Sequence, residues 1–241
     1  MATQERILKQ VQAALQHDAG ISAPEQSLVM DWRDGLLTLA GEVPNVAVKK
    51  QALAAVGRVP GVEGIVDRLR VGSPSPLGDG AVRDAVCQLL QGDVDLRNCL
   101  IRARVKGQLE TLQDPGGEHS GSIIVSVADG VVTLSGEMIS LSHTRLAVAL
   151  AWWARGCRDV VNDLEVNPPE ADSDDEVTDA LRLVLETDPR VHASQIGIAT
   201  KDYVVTLEGL VPSADERRFA EQDAWCLPAV GGVVNHLQIH P

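Results

Sequence analysis

The chain is short of aromatic residues, with one Tyr, one Phe and four Trp in 241 residues. Any core must therefore be built from Val, Leu, Ile and Ala. It is also short of basic residues, 21 Lys and Arg against 34 Asp and Glu, for a net charge of -13. Binding nucleic acid needs a basic surface that displaces counterions from phosphates, so this balance excludes that partner class. It disfavours electrostatic docking on anionic lipid as well. No stretch approaches the ~18 apolar residues of a membrane-spanning helix.

Metal and catalytic signatures are absent too. Cys87, Cys99, Cys157 and Cys226 form no CxxC pair and have no His at ligand spacing, so no zinc site is expected. Reduced, buried thiols are the expectation. There is no GxSxG, no Walker loop and no HExxH. The six His are scattered through the chain. These absences predict a protein that is not an enzyme and holds no cofactor or metal. The opening "MATQERILKQVQAALQH" lacks the apolar core of a secretory signal, because Glu5, Arg6 and Lys9 interrupt it. A cytoplasmic location is expected, with the periplasm following only if the native N-terminus lies upstream.

What the chain does have is a phrase written three times. "DGLLTLAGEV" (Asp34 to Val43), "DGVVTLSGEM" (Asp129 to Met138) and "DYVVTLEGLV" (Asp202 to Val211) each place Thr three residues before Gly. Aligned on Gly41, Gly136 and Gly209, the copies stay in phase to their ends. "VDRLRV", "VNDLEV" and "VNHLQI" begin at Val66, Val161 and Val234, each 25 residues after its glycine. Self-similarity of this kind marks a repeated structural unit.

Each unit begins with an amphipathic helix. Ile7, Val11, Ala14 and Leu15 share a face, as do Val82, Val86, Leu89 and Leu90, and Val177, Leu181, Val184 and Leu185. The first strands follow as "SLVMDW", "SIIVSV" and "QIGIAT". Asp34-Gly35 and Asp129-Gly130 supply the positive φ of tight hairpin turns. Tyr203 replaces that glycine in the third copy, where the turn should differ or carry strain. A second helix runs from about Pro44, Ile139 and Pro212, with Ala52, Ala147 and Ala220 at one position. The third strand closes the unit. Gly41, Gly136 and Gly209 fall on the apolar face of the second strand, where close approach of the alanine-bearing helix is expected. Those six residues are assigned to packing.

The reading is therefore α+β: three tandem αββαβ units, each with two helices on one face of a three-stranded mixed sheet. The units span 1–72, 79–167 and 174–241, separated by Pro- and Ser-containing linkers at 73–78 and 168–173. Their net charges are 0, -4 and, with the second linker, -9. The acidic run Asp172, Asp174, Asp175 and Glu176 suits the N-terminus of the helix that follows. The middle unit carries an insert at about 98–120. There Ile101, Ala103 and Val105 alternate with Arg102, Arg104 and Lys106, and "LIRARV-KG-QLETL" reads as an extra hairpin.

These motifs resemble the BON domain, a family named for bacterial osmotically inducible and nodulation proteins. The resemblance spans about 3–71, 79–166 and 174–240. It implies two helices on a three-stranded mixed sheet, no catalysis, and a role in osmotic stress. It also brings periplasmic or outer-membrane association and phospholipid binding as an alternative. The leading expectation is a non-catalytic binding or scaffold protein that contacts a protein partner or self-associates. Phospholipid or envelope binding is the first alternative and a small-ligand sensor the second. Candidate interface residues are Trp152, Trp153 and Trp225 on the second helices, and the basic strip Arg102, Arg104 and Lys106. For the tryptophans, capping of their own cores is the favoured reading; for the strip, a solvated face.

Overall fold

A computed structural model describes residues 2–18, 28–73 and 75–240. Ser27, expected to open the first strand, and Pro74 of the first linker lie outside the described residues. The chain divides into two units, 1–72 and 73–241.

The first unit holds one repeat. Helix α1 (Ala2–Asp18) precedes β1 (Val29–Arg33), β2 (Leu36–Val43), helix α2 (Val46–Gly57) and β3 (Gly64–Val71). Strand β2 lies in the middle, antiparallel to β1 and parallel to β3. Alternation along β2 turns Leu37, Leu39 and Val43 towards the helices, where they meet Ile7, Val11, Leu15, Ala52 and Val56. The Asn45 side chain accepts from the Val48 N–H and starts α2, a cap of about 1 kcal/mol.

The second unit holds the other two repeats. Helix α3 (Asp79–Gly92), β4 (Cys99–Val105), β5 (Gln108–Gln113), β6 (Gly121–Ala128), β7 (Val131–Met138), α4 (Leu141–Trp153) and β8 (Asp159–Val166) form the second repeat. Helix α5 (Asp174–Thr187), β9 (Ile196–Lys201), β10 (Val204–Val211), α6 (Ala214–Cys226) and β11 (Gly232–Ile239) form the third. Strands β6, β7 and β8 repeat the mixed pattern, as do β9, β10 and β11. The expected hairpin of the insert is present as β4–β5. It does not stand apart: β4 pairs in parallel with β6, so the middle sheet has five strands in the order β5-β4-β6-β7-β8. Ile101 and Ala103 join the core beside Ile123 and Val125.

The recurrent glycine has a different neighbour from the one its face suggested. Gly41, Gly136 and Gly209 have φ of 137°, 133° and 135°, in the region that L side chains avoid. A Cβ on Gly136 would sit 2.0 Å from the Ser122 carbonyl oxygen of β6, and one on Gly209 2.1 Å from that of Gln195. The close approach is thus to backbone, that of β6 for Gly136 and that of the short turn leading into β9 for Gly209. Ala52, Ala147 and Ala220, on α2, α4 and α6, are fully buried.

The hairpin turns behave alike in all three copies. Asp34, Asp129 and Asp202 have positive φ, and Tyr203 follows at φ 60°, in the place of Gly35 and Gly130. A side chain held there carries strain. The Asp174 carboxylate accepts the N–H groups of both Asp202 and Tyr203 and fixes the turn. Asp79 does the same for Asp129 and Gly130. Asp174 therefore anchors the hairpin of its own repeat as well as opening its helix.

Candidate functional site

The Asp or Asn shared by the third strands blunts a sheet edge. Asp67, Asn162 and Asn235 each accept from the backbone N–H of the leucine two residues on. Lys49 reaches from α2 to the Asp67 carboxylate at 2.8 Å and the Leu69 carbonyl at 2.9 Å. On β11, Arg217 donates to the Asn235 carbonyl. An edge strand whose polar groups are taken by its own side chains is a poor template for another strand.

Helices α4 and α5 join the second repeat to the third. Helix α4 is buried without a break from Thr144 to Ala151, as befits a helix covered on all sides. Val148 and Ala149 are buried, whereas their counterparts in α2, Leu53 and Ala54, remain half-exposed. The linker between these repeats is tied down. Glu170 accepts the Leu141 N–H, Asp172 pairs with buried Arg145, and Ser173 caps α5.

At one end of this junction lies a polar cluster. The Trp153 indole N–H donates to Asp223 Oδ1 at 2.9 Å, from α4 to α6. Asp188, just past α5, is gripped by the Arg190 guanidinium through Nε to Oδ1 at 2.8 Å and Nη2 to Oδ2 at 2.7 Å. Arg190 lies 4.3 Å from the Phe219 ring centroid and 5.9 Å from that of Trp153. Asp188 and Asp223 are each 1% exposed. The two carboxylates act on one another, and Asp223 Oδ2 meets no donor group. Burial, then the charge of Asp188, pushes the Asp223 carboxyl up to about 8. Burial opposes ionisation of Asp188 also, but the bonds and charge of Arg190 outweigh it and hold that carboxyl low. Nearby, buried Asp93 follows α3, accepts from the Asp95 N–H and neighbours Thr187 of α5, and burial raises it as well.

The second feature is the helix-free face of the five-stranded sheet. Ile101, Ala103, Ile123, Val125, Val132 and Leu134 point to the helices. The opposite face carries Arg102, Arg104, Ser122, Ile124, Thr133 and Ser135, half-buried or exposed. Arg102 Nε is buried there without an acceptor. A third feature is a cleft of about 370 Å³ in the last repeat, lined by His192, Gln195, Leu210, Val211, Pro212 and His240.

The BON domain model matches residues 3–73, 100–168 and 173–241. The chain belongs to the BON domain family. Among curated proteins no sequence matches it. Among solved structures it is similar to the C-terminal domain of CdsD, a structural protein of the type III secretion system of Chlamydia trachomatis, at 16% identity and a TM-score of 0.24. That match covers 97% of this chain and 96% of the other. A second CdsD structure aligns at 15% identity and a TM-score of 0.24, covering 98% and 93%.

Within the BON repeats the candidate residues separate. Trp153 crosses to the third repeat. Trp225 is buried and its Nε1 finds no acceptor, while Trp152 is half-buried. Arg102 and Arg104 share the open face and Lys106 occupies the β4–β5 turn at φ 49°. Asp223 was not singled out from the sequence. Its signal was present: three residues beyond Ala52, Ala147 and Ala220 stand Ala55, Leu150 and Asp223. All four cysteines are free and buried, and burial raises Cys87 to about 11, which makes a poor nucleophile. Among the described residues, no group of three or more His, Cys, Asp and Glu could hold a metal, and no helix is long and apolar enough to cross a membrane.

Proposed function

We propose that the chain is a non-catalytic binding or scaffold protein whose BON modules contact a protein partner or a second copy of the chain. The observation that carries this reading is the open face of the five-stranded sheet. It presents two arginines, one with a buried and unsatisfied Nε, among hydroxyl and apolar side chains. An unsatisfied buried donor is costly, and a carboxylate brought by a partner would relieve it. The acidic third repeat of another molecule has the complementary charge. Blunting of the β3, β8 and β11 edges disfavours association through those three strands. The BON family is one of binding domains, which supports a role without catalysis. A role in osmotic stress draws only on the family, and four buried free thiols favour a reducing compartment.

Light scattering of the full chain across a concentration series tests this reading. The wild type should grow in mass at low salt, and a variant with R102S, R104S and K106S should stay a monomer. A wild type that is strictly monomeric at high concentration removes self-association. Phospholipid binding is the alternative, opposed by the net charge of -13. Flotation with anionic and neutral liposomes decides it.

A further inference from the structure

We infer that the second and third repeats are held together by a proton-dependent latch, in which Asp223 keeps a proton and donates it to Asp188. The inference is independent of the partner proposed above. Two carboxylates that are both ionised can only repel, since neither has a hydrogen to give. Yet Asp223 and Asp188 are neighbours, both almost wholly buried, and Asp223 Oδ2 meets no donor. A proton on Oδ2 satisfies both groups at once. Oδ1 is then left to accept from the Trp153 indole, which belongs to the other repeat.

The surroundings leave the proton little competition. Helix α6 packs on α4, α5, β10 and β11. From α4 comes the neutral Trp153. From the turn after α5 come Asp188 and Arg190, and the Arg190 fork is committed to Asp188. From the end of α3, Asp93 and Asp95 add negative charge near Thr187. Strands β10 and β11 contribute buried Val205, Leu207 and Leu237, and Asn235, which is bonded to Glu221. On α6 itself Glu216 is paired with His192. Cys226 lies beside Arg190 and is buried.

The fold does not require an acid here, because the same position is Ala55 and Leu150 in the other repeats. Burial, then the charge of Asp188, pushes the Asp223 carboxyl up to about 8 from an ordinary 3.8. Its contribution to the folded state is complete below 3.8 and lost as pH rises through about 8. Above that, two buried negative charges face one guanidinium, and their repulsion opens the α4–α5 layer even though the Trp153 bond favours the charged form.

Two measurements on the full chain test the latch. The infrared spectrum should contain a protonated carboxyl C=O band at neutral pH that disappears in D223N. Absence of that band in the wild type, or its survival in D223N, would overturn the inference. Hydrogen exchange in α4 and α5, corrected for intrinsic rates, should rise ~10-fold or more between about pH 6 and about pH 10 in the wild type. It should stay level in D223N, whose amide cannot ionise. Wild-type exchange that is level across this range, or a rise retained in D223N, contradicts the latch. If D223N does not fold, D223L takes its place, since Leu150 already fills the equivalent site in the second repeat.

Discussion

The second and third repeats share their strands and differ in their second helices. Leu134 and Gly136 match Leu207 and Gly209 in burial and backbone conformation. On the helices, Leu150 faces Asp223 across the repeat register, and Trp153 stands where the third repeat has Cys226. The strand phrase is what the fold demands, since its glycines leave no room for a Cβ. The helix positions are free of that demand, so a buried carboxylate at one of them answers to the junction between repeats. That junction unites two BON modules into one body, whereas the first repeat forms its own unit.

Three substitutions test this comparison. Leu150→Asp places the acid in the repeat that has no partner for it. It should cost about 3–5 kcal/mol, as for an uncompensated buried charge, read from chemical denaturation at neutral pH. Gly136→Ala attacks the shared phrase, where backbone strain and the clash with the Ser122 carbonyl should together remove about 2–4 kcal/mol. An unchanged melting temperature would show that the strand phrase is dispensable. Trp153→Phe keeps a ring near Arg190 but deletes the indole N–H to Asp223. The loss should be about 1–3 kcal/mol, with the pH response of the junction altered and that of the first repeat unaffected.

Most of the fold was legible in the sequence because its signals are local. Asp-Gly turns, alternating apolar residues and two amphipathic helices recur in phase, and the Arg-apolar alternation at 101–106 marked the inserted hairpin. The pairing of β4 with β6 was not legible, because it joins segments about 20 residues apart and depends on which edge the hairpin finds. The neighbour of the glycine was not legible, since a φ near +135° leaves no mark in side-chain periodicity. Tyr203 was seen to break the Asp-Gly rule. That Asp174 restores the turn needed the distance between a helix start and a loop 28 residues away. Asp223 was hidden by composition: in a segment of net charge -9, one more acid reads as surface. Comparison with Leu150 sets it apart.

The most direct test of the account is the melting temperature of the full chain and of Asp223→Leu, measured together from about pH 5 to about pH 10. Asp93 is common to both proteins and only the wild type carries the Asp223 carboxyl, so its stability should fall relative to the variant as pH increases, with the gap levelling off above about 8. A gap that stays constant across the range would contradict the account, because Asp223 would then hold no proton at the junction of the two repeats.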